Sequence, residues 1–165
     1  MTTATETSTQ VYSVYIKASP EAIWDAITKP EFSERFGYGG RGEYHLQPGG
    51  AYTAYTSQAM RDNGAPDVAI EGEVLEVDPP RRLVQTWQML MDEAMTNEGS
   101  TRLTYEITQP REGFSKLTVV HELEGKPTLS LLMSGAMEEQ GAGGGWPFVL
   151  SSLKTLLETG ESVLH

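Results

Sequence analysis

Residues 11–17 alternate along the chain, with Tyr12, Val14 and Ile16 set against Ser13, Tyr15 and Lys17. Successive side chains of a strand point to opposite faces, so this pattern predicts a half-buried strand. Ser19-Pro20-Glu21 then offers a side-chain cap, a proline for the first helical position and an early acid. A helix follows that buries Ile23, Trp24 and Ile27 and ends at Lys29-Pro30. A second short helix is predicted over 30–36, where Phe32 and Phe36 lie four apart on one face.

From 37 to 122 the chain is divided by turn chemistry at Gly49-Gly50, Asp62-Asn63-Gly64, Asp78-Pro79-Pro80, Asn97-Glu98-Gly99 and Arg111-Glu112-Gly113. Strands are predicted between these turns at 42–47, 51–58, 68–77, 82–91, 101–109 and 114–122, and such short connections imply antiparallel pairing. The last three share an apolar face: Leu83, Trp87, Met89 and Met91, then Leu103, Tyr105 and Ile107, then Leu117, Val119 and His121. That face needs a cover. Trp146, Val149, Leu150, Leu153, Leu156 and Leu157 recur at helical spacing, with Ser151, Ser152, Lys154, Thr155 and Glu158 on the other side and Gly160 where a C-terminal glycine belongs. Leu129, Leu132, Met133 and Met137 also fit a helical face, but GAGGG at 141–145 interrupts it, so 127–140 reads as a helix or a lid.

This order predicts an α+β helix-grip: a curved antiparallel sheet wrapped around a long C-terminal helix, with two short helices after the first strand. Residues 10–165 form one domain behind a disordered, Thr- and Ser-rich tail at 1–9. A sheet that curves around one helix leaves space near the helix ends, which predisposes the fold to an internal cavity.

Composition narrows the chemistry. The 165 residues contain no cysteine, which removes disulfides, thiolate metal sites and thiol nucleophiles. A formal charge of −11 opposes binding to nucleic acid or an anionic membrane surface, so neither is expected as a partner. The N-terminal stretch lacks the basic and apolar regions of a signal peptide, and a cytoplasmic location is expected.

GYGGRG at 37–42 matches the spacing of a dinucleotide fingerprint, but it follows a helix and leads into a strand, the reverse of what that fingerprint requires. It reads as a loop near the cavity mouth. GAGGGW at 141–146 precedes a helix and could cradle an anion, although the net charge disfavours one and glycines equally serve close packing or a hinge. His45, His121 and His165 lack metal-ligand spacing, and neither a metal nor a cofactor is expected. His121, on an apolar strand face, is either a core histidine bonded to its neighbours or a group facing the cavity as base or carbonyl anchor. Glu71, Glu73, Glu76, Asp92 and Glu93 read as solvated faces and turns, and no serine-hydrolase elbow is present.

IKASPEAIWDAITKPE at 16–31, GEVLEVDPPRRLVQTW at 72–87, LTVVHE at 117–122 and GWPFVLSSLKTLLETG at 145–160 together resemble the family named for homology to the activator of the heat-shock-protein-90 ATPase, in the SRPBCC or START-like superfamily. The resemblance spans about 10–160. It implies the helix-grip fold and a hydrophobic cavity but no single activity, since the superfamily includes lipid carriers, aromatic polyketide cyclases and members without a known ligand. SERFGYGG at 33–40 is glycine-rich where relatives usually carry bulkier aromatic residues.

The expected function is binding of a hydrophobic or aromatic small molecule between the sheet and the C-terminal helix. Its expected lining is Phe36, Tyr38, Trp87, Met89, Tyr105, His121, Met133, Met137, Trp146 and Leu150. Two alternatives are an enzyme of the cyclase or aromatase kind, with His121 and Tyr105 positioning and deprotonating the substrate, and a chaperone-interacting module. A weak homodimer is left open.

Overall fold

The computed structural model describes residues 9–164, so the predicted tail, apart from Thr9, and His165 lie outside the described residues. Seven strands form one antiparallel sheet: β1 (Thr9–Ile16), β2 (Gly42–Tyr44), β3 (Ala51–Tyr55), β4 (Val68–Asp78), β5 (Arg82–Met89), β6 (Thr101–Arg111) and β7 (Phe114–Glu122). Their spatial order is β1-β7-β6-β5-β4-β3-β2. The sheet curves without closing. Helices α1 (Pro20–Thr28) and α2 (Pro30–Ser33) follow β1, and the long helix α6 (Gly145–Thr159) ends the fold, giving the α+β helix-grip.

Local chemistry explains the elements. The Ser19 hydroxyl accepts from the Ala22 amide at 3.1 Å and caps α1. That helix buries Ile23, Trp24, Ala26 and Ile27 against the sheet. On the concave face, cross-strand partners run in rows: Tyr12, Val119, Tyr105 and Leu83 in one, and Gln10, His121, Leu103 and Gln85 in the next. Curvature enters at irregularities in the β3–β4 and β4–β5 pairings. Gly72, in β4 before the second of these, is needed for close approach: a Cβ there would lie 1.9 Å from the Thr86 carbonyl oxygen, so only glycine lets the strands approach.

Helix α6 grips the sheet through Trp146, Leu150, Leu153 and Leu156, all buried. Its opposite side is tied to β1 by polar bonds, Lys154 Nζ donating to the Tyr15 carbonyl at 2.7 Å and the Lys17 amide to the Glu158 carboxylate at 2.8 Å. Ser152 departs from the expectation of a solvated position. It is buried, and its hydroxyl accepts from the Gly37 amide at 3.0 Å, pinning the loop after α2 to the helix.

Several boundaries differ from the sequence expectation, each for a short-range reason. Helix α2 stops at Ser33 rather than 36, and the Ser33 hydroxyl instead accepts from the Gly42 amide at 2.8 Å. Strand β2 ends at Tyr44, where the Gln47 amide turns back to the His45 carbonyl. Two short helices occupy ends of predicted strands or turns: α3 (Gln58–Asp62), capped by the Ser57 hydroxyl, and α4 (Glu93–Glu98). Met91 therefore lies beyond β5 and is exposed. Residues 127–140 resolve into α5 (Pro127–Ser134) and a single 3₁₀ turn at Glu138–Gln140. The Glu98 carboxylate at the end of α4 accepts from the Thr128 and Leu129 amides at 2.9 and 3.1 Å and so caps α5.

Candidate functional site

Between the concave sheet face and α6 lies a cavity of about 320 Å³. Its sheet side comes from Tyr44, Tyr52, Ile70, Trp87, Met89 and Tyr105, its helix side from Leu132, Met133, Trp146, Val149, Leu150 and Leu153. Phe36, Gly37, Tyr38 and Gly40 of the loop after α2 complete it together with Gly143 and Gly145. Among the described residues, no Asp, Glu, Lys, Arg or His side chain lines this space.

The two glycine-rich segments weighed in the sequence meet at this cavity. The Tyr38 hydroxyl accepts from the Gly145 amide at 3.0 Å, and its ring lies 5.3 Å from that of Phe148. A Cβ on Gly143 would stand 2.4 Å from the Tyr38 hydroxyl oxygen, so the ring rests on bare backbone. Gly145 has φ +68° and lies so close to the Met133 carbonyl that a Cβ would come within 2.3 Å. The glycines here serve close approach between α5, the first turn of α6 and the Tyr38 loop.

Eight of the ten expected lining residues stand on the cavity wall: Phe36, Tyr38, Trp87, Met89, Tyr105, Met133, Trp146 and Leu150. His121 and Met137 do not. His121 is fully buried beneath two indoles, its ring centroid 4.8 Å from that of Trp87 and 5.9 Å from that of Trp146. Its Nδ1 accepts from the Trp146 indole Nε1–H at 3.1 Å, which leaves the proton on Nε2. Nε2 in turn lies 2.8 Å from the Thr101 hydroxyl, which donates to the Trp87 carbonyl at 2.7 Å. Burial depresses the imidazole pKa to about 3, so the ring is neutral. The chain of bonds fixes Trp146, whose indole meets Tyr105 edge-on at 6.1 Å.

Tyr44 and Tyr52, absent from the expected lining, stack with ring centroids 4.3 Å apart as direct partners of β2 and β3. Tyr44 donates its hydroxyl proton to Oε1 of the buried Gln85. Burial holds the Tyr44 and Tyr105 phenols well above their ordinary range and pushes Tyr52 up to about 12. The alternation of Gly42, Tyr44 and of Tyr52, Ala54 was the available signal for their shared face.

The acidic residues weighed for catalysis lie elsewhere. Glu76 pairs with Arg82 at 3.3 Å and Arg102 at 3.7 Å, while Glu71 and Glu73 are exposed. His45 is exposed in the turn after β2, and among the described residues no three His, Asp or Glu side chains are grouped to hold a metal ion. No helix among them is long and apolar enough to cross a membrane.

Comparison with known proteins agrees with this architecture. The family model described as activator of Hsp90 ATPase homolog 1-like protein matches residues 17–158. The chain belongs to that family. A search of curated protein sequences found no match. Among solved structures, the Aha1 dimer from Colwellia psychrerythraea is similar at 18% identity and a TM-score of 0.62, over 93% of this chain and 98% of that one. DynU16, a protein in the dynemicin biosynthetic locus, is similar at 21% identity and a TM-score of 0.63, over 94% of this chain and 49% of that one. PFC0360w, an HSP90 activator from Plasmodium falciparum, is similar at 19% identity and a TM-score of 0.55, over 94% and 90%. At these identities the likeness carries the fold.

Proposed function

We propose that this chain is a small-molecule binding protein whose ligand, apolar or aromatic, occupies the space between the sheet and α6. The observation that carries this reading is a cavity of about 320 Å³ whose described lining has no charged side chain and concentrates tyrosine, tryptophan and methionine. Ligand pockets fall in this size range, and such a lining favours apolar surface over water. Trp87 and Trp146 stand on the wall while Trp24 does not, so a bound molecule quenches or shifts two of the three indoles. A panel of hydrophobic metabolites screened by thermal shift and tryptophan fluorescence tests the reading. A saturable rise in Tm with an indole response is expected; a flat response across the panel defeats it.

Binding ranks ahead of catalysis because the base expected of a cyclase is engaged elsewhere. Both His121 nitrogens are committed to Trp146 and Thr101, and neither faces the cavity. Chaperone activation, the role of the P. falciparum relative, ranks behind binding because the aromatic side chains gather on an internal wall. Self-association, seen in the C. psychrerythraea relative, is the accompanying expectation, read by sedimentation over a range of concentrations.

A further inference from the structure

The cavity wall is apolar apart from a few groups, and one of these, the Tyr105 phenol, has no acceptor among the described residues. Tyr44 spends its hydroxyl proton on Gln85, whose Nε2 is itself engaged with the Thr86 carbonyl at 3.2 Å. Tyr52 and Tyr105 also present phenol groups to the cavity; Tyr105 has no hydrogen-bond partner among the described residues, and Tyr52 has beside it only the hydroxyl of Tyr44. The Tyr105 hydroxyl is not sealed in: the Ser130 hydroxyl alone is both fully buried and unpartnered among the described residues, so the unpartnered Tyr105 oxygen keeps contact with the open space. The two phenols lie near enough for the charge of one to disfavour ionisation of the other, and burial keeps both protonated. They are therefore donors at any physiological pH. A donor left in a low-dielectric cavity gains most from an acceptor that arrives with the ligand.

The absence of any charged group from the described lining sets the other half of the specificity. An anion would be stripped of water with no cation to meet it, and a cation would find no carboxylate. An uncharged oxygen acceptor fits both conditions. Trp146, held by His121 and meeting Tyr105 edge-on, gives the ring system a fixed aromatic surface beside one donor.

Resting on the binding reading above, we propose that the cavity selects an uncharged aromatic ketone or quinone-like molecule, whose carbonyl oxygen accepts a hydrogen bond from Tyr105 or Tyr52. Tyr105 and Tyr52 are specificity determinants that distinguish such a molecule from a hydrocarbon of the same shape.

The test uses two probes of nearly equal shape, 9-fluorenone and fluorene, which differ by one carbonyl oxygen. Equilibrium dialysis against the full chain and against Tyr105→Phe, Tyr52→Phe and the double variant measures both affinities. Fluorenone is expected to bind the native chain about tenfold more tightly than fluorene, the span of one net hydrogen bond. The single variants narrow that preference, and the double variant binds both probes equally. A cooperative thermal unfolding transition shows that each variant is folded. Equal binding of both probes to the native chain, or a preference that survives in the double variant, overturns the inference and leaves the binding reading standing. If neither probe binds, the inference falls, and the panel of hydrophobic metabolites decides the binding reading separately.

Discussion

The indole of Trp146 donates to Nδ1 of His121 at 3.1 Å, joining the first turn of α6 to the centre of β7. The bond requires a neutral imidazole with its proton on Nε2, and burial lowers the His121 pKa to about 3 against 6.5 for the free side chain. The unfolded chain thus takes up a proton below pH 6.5 that the native state refuses until near pH 3. Stability contributed by this residue is complete above 6.5 and falls as pH drops, by about 1.4 kcal/mol per unit between those limits. Denaturant titrations from pH 7.5 to 4 should show this slope. His121→Gln, which has no imidazole to titrate, should lose that part of it, and an unchanged slope in the variant would mean that His121 is not the group responsible. The variant should also be less stable at pH 7.5, by about 1 to 3 kcal/mol, because an indole N–H or a threonine hydroxyl loses its partner.

Leu153 sits on the helical stripe at the point where α6 faces the sheet, 1% exposed and also in contact with the cavity. Leu153→Ala removes buried methyl groups and enlarges existing space, with an expected loss of about 2 to 5 kcal/mol in denaturant unfolding. A ligand that fills the cavity should recover part of this loss. Wild-type stability in the variant would contradict the packing of α6 described above.

How far the sequence reached can be seen in these same residues. The stripe from Trp146 to Leu157 was legible because fifteen residues of α6 repeat one spacing, and β6 and β7 because their alternation is long and bounded by turns. Helices α3 and α4, with 5 and 6 residues, are too short to show a stripe, and caps and long-range partners decide them. Face is readable from period, depth is not. Alternation put His121 on the inward side with Leu117 and Val119, but its place under Trp87 and Trp146 rather than at the cavity depends on where α6 lands. The same holds for Tyr44 and Tyr52, whose inward position follows from how the β2–β3 hairpin completes a sheet assembled from distant strands.

Glu98 joins two helices that neither pattern nor propensity connects. Burial alone would raise its pKa, but the Leu129 and Thr128 amides and the charge of Lys126 hold it below the usual carboxylate range. A carboxylate whose folded pKa is depressed stabilises above its unfolded pKa and loses that contribution as pH falls through the folded value. The group is half-buried near the surface, where solvent screening keeps its electrostatic share small, and the expected cost of Glu98→Ala is that of a lost helix cap, about 1 kcal/mol. Hydrogen exchange should localise the effect, with faster exchange at the Thr128 and Leu129 amides and little change in β6 or β7.

The contact of Tyr38 with Gly143 and Gly145 makes a last prediction about access to the cavity. The Tyr38 hydroxyl accepts from the Gly145 amide at 3.0 Å, and its ring occupies the space that a side chain on Gly143 would need. Tyr38 is 41% exposed, so removing its contacts disturbs the wall of the cavity more than the core. Gly143→Val should displace the ring and loosen the loop at 37–40, while Tyr38→Phe removes only the bond to Gly145. Tyr38→Phe should keep stability within about 1 kcal/mol of wild type, the span of one hydrogen bond, and Gly143→Val should cost more because the Tyr38 ring must move away from the new side chain. Both should release a bound fluorescent hydrophobe faster in stopped-flow displacement, Gly143→Val more than Tyr38→Phe. Unchanged release rates in both would show that ligand leaves by a route that does not pass Tyr38.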